Sequence, residues 1–221
     1  MTVRPIGILR TCYPDKFGTP RQSGLVPEAW GRLEFEPEFR RMEAVRGLDD
    51  FSHLWLVFQF HAIEDEPIAL TVRPPRAGGN ERRGVFATRS PFRPNRLGLT
   101  LVRLERVVKE GAGAPMLEVT GVDLIDGTPI LDIKPYVPYA DAPEDTPRSW
   151  ADDPPVRIPV TWQTAHPSEP TRRIIEHSLS LRPQPAYQQD AQRCYATEIA
   201  GWHLEFTVHP DGVKIHRANP A

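Results

Sequence analysis

LGLTLVRLERVVKEGAGAPMLEVTGVDLIDGTPILDIKPY, residues 97–136, is the stretch that decides the fold of this chain. Its apolar side chains alternate at every second position, first at Leu97, Leu99 and Leu101 and again at Leu117 and Val119. A period of two residues is typical of β-strands. Short strands that follow one another without a matching number of helices predict a closed or strongly curved β-sheet.

Glycines and one apolar run set the limits of the predicted strands around this stretch. The alternation changes phase at Gly121 and continues over residues 122–124, which predicts a β-bulge. Residues 126–127, Asp-Gly, predict a tight turn into a further strand at 130–133. Residues 54–58, LWLVF, are apolar on both faces, and this pattern predicts a strand that is buried on both sides.

Composition divides the chain into three predicted parts of a mainly β protein. The chain has 25 prolines in 221 residues, which disfavours long helices and long central strands. Residues 1–139 form the predicted β-domain, and residues 140–159 are rich in proline and acid, as in an extended linker or surface-hugging arm. Residues 160–221 predict a small α+β domain, since Ser168–Pro170 is a helix start and Pro210–Gly212 separates two strands of a hairpin.

Overall charge and apolar content exclude several classes of protein. The chain has 27 basic and 29 acidic residues and a net charge of -2, which excludes a uniformly cationic nucleic-acid coat. No apolar run approaches the roughly 18 residues of a membrane-spanning helix, and no secretory leader follows Met1. Cys12 and Cys194 cannot form a structural zinc site by themselves. We therefore expect a cytoplasmic protein with reduced thiols, no metal and no membrane association.

Positive charge is concentrated in residues 71–106. This window has nine arginines, two glutamates and no lysine, a local charge of +7 that leaves -9 for the remainder of the chain. The planar guanidinium group binds phosphates and stacks on bases, so the window is a candidate nucleic-acid surface. A solvated arginine-rich surface explains the charge equally well.

The loop at residues 84–98, GVFATRSPFRPNRLG, is a candidate binding loop. Two prolines and its glycines favour a rigid, non-repetitive conformation, along which Arg89, Ser90, Arg93 and Asn95 can donate hydrogen bonds to a polar ligand. A polar loop between apolar strands is more often a ligand-binding loop than a simple connection. The alternative interpretation is a plain β-turn that connects two strands.

A second candidate site lies on the strand that follows the Asp-Gly turn. Asp132, Lys134 and Tyr136 share one face of an extended segment, where an acid, a base and a phenol can orient and deprotonate a substrate. A structural salt bridge beside an exposed tyrosine is an equally good interpretation. The chain has no dinucleotide-binding glycine loop, no Walker A loop, no nucleophile elbow and no metalloprotease helix.

Four motifs in order over residues 5–139 resemble the TrmO family of tRNA methyltransferases. They are PDKFGTPRQ (14–22), GLDDFSHLW (47–55), GVFATRSPFRPNRLGL (84–99) and DGTPILDIKPY (126–136). The segment RPQPAYQ (182–188) is similar to the C-terminal domain of the family, so the resemblance covers nearly the whole chain.

The resemblance implies a single-sheeted β-barrel that binds S-adenosylmethionine, in a homodimer with the cofactor near the subunit interface. It also implies a reaction: methylation of threonylcarbamoyladenosine, next to the anticodon, at the nitrogen that carries the threonylcarbamoyl group. The implied cofactor contacts are Pro20, Arg21, Gln22, His61, Arg89, Leu99, Asp126, Gly127, Thr128 and Pro129.

With this resemblance, the remaining candidates take roles in substrate binding and chemistry. The face of Asp132, Lys134 and Tyr136 would handle the acceptor nitrogen. The tRNA anticodon stem-loop would be bound by the predicted RNA contacts, which are Arg82, Arg83, Arg93 and Arg96.

Two alternatives remain open at this point. One is a non-catalytic tRNA- or RNA-binding module, which would neither bind S-adenosylmethionine nor transfer its methyl group. The other is a small-molecule methyltransferase on the same barrel, although a small acceptor needs no window of nine arginines.

Overall fold

The computed structural model of the chain describes residues 2–63, 67–74, 81–146, 149–184, 188 and 190–221. Within these residues, the structure has six long strands, β1 (Gly7–Thr11), β2 (Trp30–Phe35), β3 (His53–Gln59), β6 (Leu97–Val108), β7 (Met116–Thr120) and β8 (Thr128–Pro135). These strands close into an antiparallel barrel in the order β1-β2-β7-β6-β3-β8. The predicted mainly β, single-sheeted barrel is therefore confirmed.

Short elements connect the barrel strands. A two-stranded ribbon forms from β4 (Thr71–Val72) and β5 (Arg83–Gly84). Between the barrel strands lie helix α1 (Met42–Val45) and 3-10 turns at Leu48–Asp50, His61–Ile63 and Val85–Ala87, and helix α2 (Pro138–Asp141) follows the last barrel strand. In the described part of the chain, no helix is long and apolar enough to cross a membrane.

The barrel interior is filled by alternate side chains from every strand. Leu9, Leu33, Leu54, Leu56, Leu117 and Ile130 are fully inaccessible to solvent. Burial of each such side chain stabilises the fold by about 1.5–3 kcal/mol before the entropy of ordering it is subtracted. Gly98 faces the same interior, where a Cβ atom would overlap the ring of Phe58. The barrel therefore needs glycine at this position.

The predicted alternation in β6 is present, and the structure shows which face is inside: Leu97, Leu99 and Leu101 face outward, because Gly98, Thr100 and Val102 take the interior positions. The structure corrects two expectations about the strands. Trp55 and Val57 of β3 are only half-buried, so this strand is not buried on both sides. Gly121 does not form a bulge. It follows the end of β7 with a φ of 75°, and the register shift lies in β6 between Leu104 and Arg106.

The C-terminal part packs one helix against a second sheet. In the described part of 160–221, four strands form a sheet in the order β10-β11-β12-β9. Its elements are β9 (Val160–Trp162), α3 (Thr171–Ser180), β10 (Cys194–Ile199), β11 (Trp202–His209) and β12 (Gly212–Pro220). The predicted helix and the predicted hairpin are both confirmed, because α3 starts directly after Pro170 and β11 pairs antiparallel with β12.

The barrel and the C-terminal part are joined by buried contacts. The hydroxyls of Tyr13 and Ser178 are 3.0 Å apart, and the Ala200 N–H donates to the Cys12 carbonyl at 2.7 Å. The segment between the barrel and the C-terminal part begins with α2. Its Arg157 donates to the Leu25 carbonyl on the barrel side and to the Ser180 hydroxyl in the C-terminal part.

Parts of three segments with predicted roles lie outside the described residues. They are residues 75–80 of the arginine window, residues 147–148 of the proline-rich segment and residues 185–187 of the C-terminal motif.

Candidate active site

The residues implied to contact the cofactor come from loops and strand ends at one end of the barrel. The register pairs Leu9 near the end of β1 with Thr128 at the start of β8, and it pairs Gln59 at the end of β3 with Leu97 at the start of β6. Residues 20–22 follow β1, His61 follows β3 and Arg89 precedes β6. The antiparallel order of the barrel therefore collects segments that are far apart in sequence.

The first and third motifs meet through a side-chain hydrogen bond. Arg89 donates from Nη1 to the Oε1 atom of Gln22, and both side chains are accessible to solvent. In the same loop as Gln22, Pro20 is buried and Arg21 is exposed. The remaining guanidinium N–H groups of Arg89 can therefore bind a polar ligand.

The loop around Arg89 is held by its own polar groups. Arg93 donates from Nη1 to the carbonyls of Thr88 and Ser90 at 3.1 and 3.3 Å, and the Ser90 hydroxyl accepts from the Phe92 N–H at 3.3 Å. The predicted non-repetitive loop is thus confirmed. Arg93 uses part of its donor capacity to shape that loop, which the sequence analysis did not anticipate.

The Asp-Gly turn is built around the Asp126 carboxylate. Its Oδ1 accepts from the Thr11 N–H at 2.9 Å, and its Oδ2 is 3.5 Å from the Arg10 Nη1. Gly127 has a φ of 79°, in the left-handed region that glycine adopts without strain. The turn continues into Thr128, which is buried, and Pro129, which is half-buried.

His61 and Leu99 lie beside this end of the barrel on its outer side. His61 starts a 3-10 turn after β3, where the Phe60 N–H donates to the Arg96 carbonyl at 2.8 Å. Leu99 is 54% exposed and pairs in register with Val57. Together they give the candidate site an apolar side chain and an imidazole.

Asp123 is a candidate site residue that the sequence analysis missed. Its Oδ1 accepts a hydrogen bond of 2.6 Å from the Thr100 hydroxyl, and Thr100 lies in the barrel interior. Burial raises the pKa of Asp123 to about 6, although the Thr100 hydrogen bond and the Arg89 charge favour its ionised form. The signal in the sequence was a carboxylate at a position between two core residues, Val122 and Leu124.

The predicted catalytic face lies on the outside of β8. Asp132 and Lys134 are largely exposed, with 3.8 Å between Oδ2 and Nζ. Tyr136 is half-buried beside the rings of His53 and Trp55. At about 3.3 Å per residue, Asp132 lies about 13 Å along the strand from Thr128, and Tyr136 about 26 Å. One chain therefore does not bring Tyr136 next to its own Asp-Gly turn.

The predicted RNA contacts differ in their surroundings. Arg82 is exposed and donates from Nη1 to the Thr71 hydroxyl at 2.9 Å. Arg83 is half-buried, pairs with Glu81 at 2.8 Å and stacks on the Trp150 ring at 5.0 Å. Arg96 is half-buried and has a φ of 50°.

Comparisons with known proteins agree with this geometry. Residues 8–142 match the family model described as the tRNA-methyltransferase O N-terminal domain. The chain is 38% identical to the tRNA (adenine(37)-N6)-methyltransferase of Escherichia coli K12, over 97% of this chain and 96% of that protein. The chain belongs to the TrmO family. A crystal structure of TrmO from Pseudomonas aeruginosa superposes with a TM-score of 0.76 and 37% identity, covering 99% of this chain and 98% of that one.

TrmO membership identifies the reaction class and the cofactor. TrmO proteins are S-adenosylmethionine-dependent tRNA (adenine(37)-N6)-methyltransferases, so this chain is an enzyme of tRNA modification. A further relative from Pseudomonas aeruginosa, 46% identical over 97% of this chain and 96% of its own length, is named as an S-adenosylmethionine-dependent methyltransferase. The family, the enzyme class and the cofactor predicted from the four motifs are therefore confirmed.

Proposed function

We propose that this TrmO protein transfers a methyl group from S-adenosylmethionine to the exocyclic nitrogen of threonylcarbamoyladenosine, next to the anticodon of tRNA. The hydrogen bond between Arg89 and Gln22 is the observation that carries the proposal. It joins the two loops whose motifs supply half of the implied cofactor contacts, at the end of the barrel where the Asp126 turn also lies.

The residues at this end of the barrel fit S-adenosylmethionine chemically. Arg89 has free N–H groups for a carboxylate, Leu99 offers apolar surface, and the 126–129 turn brings backbone groups close. Pro20, which is also proposed as a contact, has a buried side chain in the loop of Arg21 and Gln22. His61, Arg21 and Gln22 complete the proposed contacts. When bound, the cofactor supplies an electrophilic methyl group on its sulfonium sulfur. The protein contributes by holding that methyl group in line with the acceptor nitrogen.

The acceptor nitrogen must also lose a proton, and we assign this part of the chemistry to the face of Asp132, Lys134 and Tyr136. The exposed carboxylate of Asp132 can accept a proton or orient the ureido group, and Lys134 beside it can stabilise negative charge. Tyr136 offers a ring for stacking and a hydroxyl for hydrogen bonding.

A homodimer would bring this face close to a cofactor site. On the outside of the barrel, Leu99, Val57 and Asp132 form one cross-strand row, and Leu101, Trp55 and Lys134 form the next. The four apolar members of these rows are half-buried or exposed in the single chain. Apolar side chains in adjacent rows beside a predicted site favour a protein–protein contact. The catalytic face borders this surface, so a second copy can place it against the cofactor end of the first.

The tRNA is the proposed partner of the arginine window. Arg82, Arg83, Arg93 and Arg96 are proposed to contact phosphates or bases of the anticodon stem-loop. Hydrogen bonds within the protein orient the side chains of Arg82, Arg83 and Arg93. We further propose that residues 1–139 form the methyltransferase domain, 140–159 the linker and 160–221 a domain that assists RNA binding. We also propose a cytoplasmic location, which the tRNA substrate supports.

Methylation assays on two tRNAs test the proposed substrate. The purified protein is incubated with labelled S-adenosylmethionine and with one tRNA that carries either threonylcarbamoyladenosine or plain adenosine at the same position. We expect methyl transfer to the modified tRNA alone, with the product nucleoside identified by mass spectrometry. Equal transfer to both tRNAs would refute the proposed substrate, and tRNA binding without transfer would favour the non-catalytic module.

Turnover of Asp132→Asn and the mass of the protein in solution test the remaining assignments. We expect a single-turnover rate roughly a hundredfold lower for the variant, at saturating cofactor and unchanged melting temperature. A normal rate would remove Asp132 from the mechanism.

Light scattering should give twice the 25.0 kDa mass of the chain, and a monomer with full activity would refute the dimer.

A further inference from the structure

We propose that the C-terminal sheet positions a loop that binds S-adenosylmethionine, and that Thr197 and Phe17 are the positioning residues. The loop is the first-motif loop, residues 14–22, whose last three residues are proposed cofactor contacts. The inference rests on those proposed contacts. It gives residues 160–221 a role in cofactor binding beside the proposed role in RNA binding.

A buried hydrogen bond joins the sheet to the loop. The Thr197 hydroxyl on β10 donates to the Phe17 carbonyl at 2.6 Å, and Thr197 is 8% exposed. Because the acceptor is a backbone carbonyl, the bond fixes the course of the loop itself and not only one of its side chains. A hydrogen bond that is shielded from water is also electrostatically stronger than one in solvent.

An aromatic cluster fixes the Phe17 side chain at the same place. Its ring stacks on Tyr195 and Phe206, with centroids 5.8 and 6.3 Å away and interplanar angles of 24° and 16°. Both partners belong to the core of the C-terminal sheet, where Phe206 is fully buried. Aromatic pairs at such distances stabilise a contact beyond the area that they bury. The loop therefore inserts a side chain from the barrel side into the core of the C-terminal part.

The loop backbone lies directly against β10 at Gly18. A Cβ atom at this position would be 3.0 Å from the Ile199 Cδ1 and 3.3 Å from the Thr197 Oγ1. Either contact is shorter than an ordinary van der Waals distance, so a side chain here would push the loop away from the sheet. The close approach is what allows the Thr197 hydroxyl to reach the loop carbonyl.

A tight turn carries this placement towards the cofactor contacts. The Phe17 N–H donates to the Asp15 Oδ1 at 2.7 Å, and the Thr19 hydroxyl donates to the Asp15 carbonyl at 2.6 Å. These bonds close residues 15–19 into one unit, and Pro20 follows directly. Because the ring of proline fixes its φ, the turn determines where the backbone of residues 20–22 begins.

The barrel holds the other end of the loop. Gln22 accepts from Arg89, and the Gly24 N–H donates to the Gly121 carbonyl at 2.9 Å. Residues 20–22 are therefore held between an anchor on the C-terminal sheet and an anchor on the barrel. Without the first anchor, ligand binding must itself order this segment, and the entropy lost in doing so lowers affinity.

Calorimetric titration of S-adenosylmethionine and S-adenosylhomocysteine against wild type, Thr197→Val and Thr197→Ser tests the inference. We expect Thr197→Val to weaken both ligands by a similar factor, roughly fivefold, because a neutral hydrogen bond that orders the loop is lost. Thr197→Ser keeps the hydroxyl and should bind both ligands like wild type. Thr207→Val is the matched control, since Thr207 lies in the same sheet, is 9% exposed and has its hydroxyl bound to His209 and His216 instead of the loop.

Two further measurements separate positioning from a general loss of stability. In the ligand-free protein, backbone hydrogen exchange within residues 15–22 should be faster in Thr197→Val and unchanged in Thr207→Val. In steady-state assays, the KM for S-adenosylmethionine should rise in Thr197→Val while kcat and the KM for tRNA keep their wild-type values. This is the pattern expected when only ground-state binding of the cofactor is weakened.

The possible failures are distinguishable. Wild-type affinity in a chain with both Arg21→Ala and Gln22→Ala would overturn the proposed cofactor contacts of the loop. If that chain binds weakly but Thr197→Val binds like wild type, or if Thr207→Val weakens binding as much as Thr197→Val does, the positioning role is wrong. A loss of tRNA affinity with unchanged cofactor affinity would also overturn it. Should Thr197→Val not fold, Phe17→Leu removes the ring stacking, and it must show the same ligand pattern.

Discussion

The hydroxyl contact between Tyr13 and Ser178 joins the barrel to helix α3, and its removal gives a stability change that can be worked out from the structure. Tyr13 is fully buried, Ser178 is 2% exposed and their oxygens are 3.0 Å apart. Burial raises the pKa of the Tyr13 phenol, so the group is neutral and forms an ordinary hydrogen bond. Tyr13→Phe keeps the ring in the core and removes the hydroxyl that forms this bond, and the double variant with Ser178 isolates the Tyr13–Ser178 contribution from that of Cys12 next to Tyr13.

The expected loss follows from what the substitution leaves behind. A neutral hydrogen bond contributes about 1 kcal/mol, and a buried polar group without its partner costs about 1–3 kcal/mol. We therefore expect Tyr13→Phe to lower the free energy of unfolding by about 2 kcal/mol. For a chain of 150–250 residues, this corresponds to a fall in Tm of about 4–8 °C. Replacing Ser178 by Ala in the same chain should recover part of the loss, because no unpaired hydroxyl remains.

Urea denaturation and thermal melting of the two single variants and the double variant measure this coupling. Tyr139→Phe is the matched control, since Tyr139 is 91% exposed and its hydroxyl lies in solvent. An unchanged Tm in Tyr13→Phe, or single effects that simply add in the double variant, would refute the argument that this bond stabilises the joint.

Three further predictions concern the barrel, a buried acid and the RNA surface. Gly98→Ala should lower the free energy of unfolding, measured in urea, by about 1–3 kcal/mol, because the added methyl group overlaps the Phe58 ring. Phe58→Leu in the same chain should restore part of this loss. Full stability of Gly98→Ala would contradict the packing. Burial opposes ionisation of Glu28, but its backbone N–H and His177 hold the pKa below the ordinary 4.5. The difference in unfolding free energy between wild type and Glu28→Gln should therefore be constant above pH 4.5 and should decrease as the pH falls through the lowered pKa. A difference in urea midpoints that does not change with pH would contradict this prediction. Arg82→Ala should make the log–log salt dependence of tRNA affinity shallower by roughly one unit in binding titrations, and an unchanged slope would place the phosphate contacts elsewhere.

Local sequence determined the elements and their order. Residues 54–58 and 126–133 contain their own strand and turn signals, and Pro170 marks the start of α3, which begins at the next residue. The four motifs also determined the family, because their residues lie contiguously in the chain and need no tertiary contact to be recognised. These features depend on a few neighbouring residues, and such residues carry the same preferences in the unfolded chain.

Tertiary structure alone decided which face of each strand is inside. The alternation in β6 places Leu97, Leu99 and Leu101 on one face of the strand and Gly98 and Thr100 on the other. Both faces are rich in small or apolar groups, so the pattern does not show which face is inside. Only closure of the barrel turns the leucines outward. The Asp123 site depends on the same closure, since its partners are contributed by other segments of the chain. A pairing between distant segments is set by the packing of the whole barrel, so no local pattern of the sequence contains it.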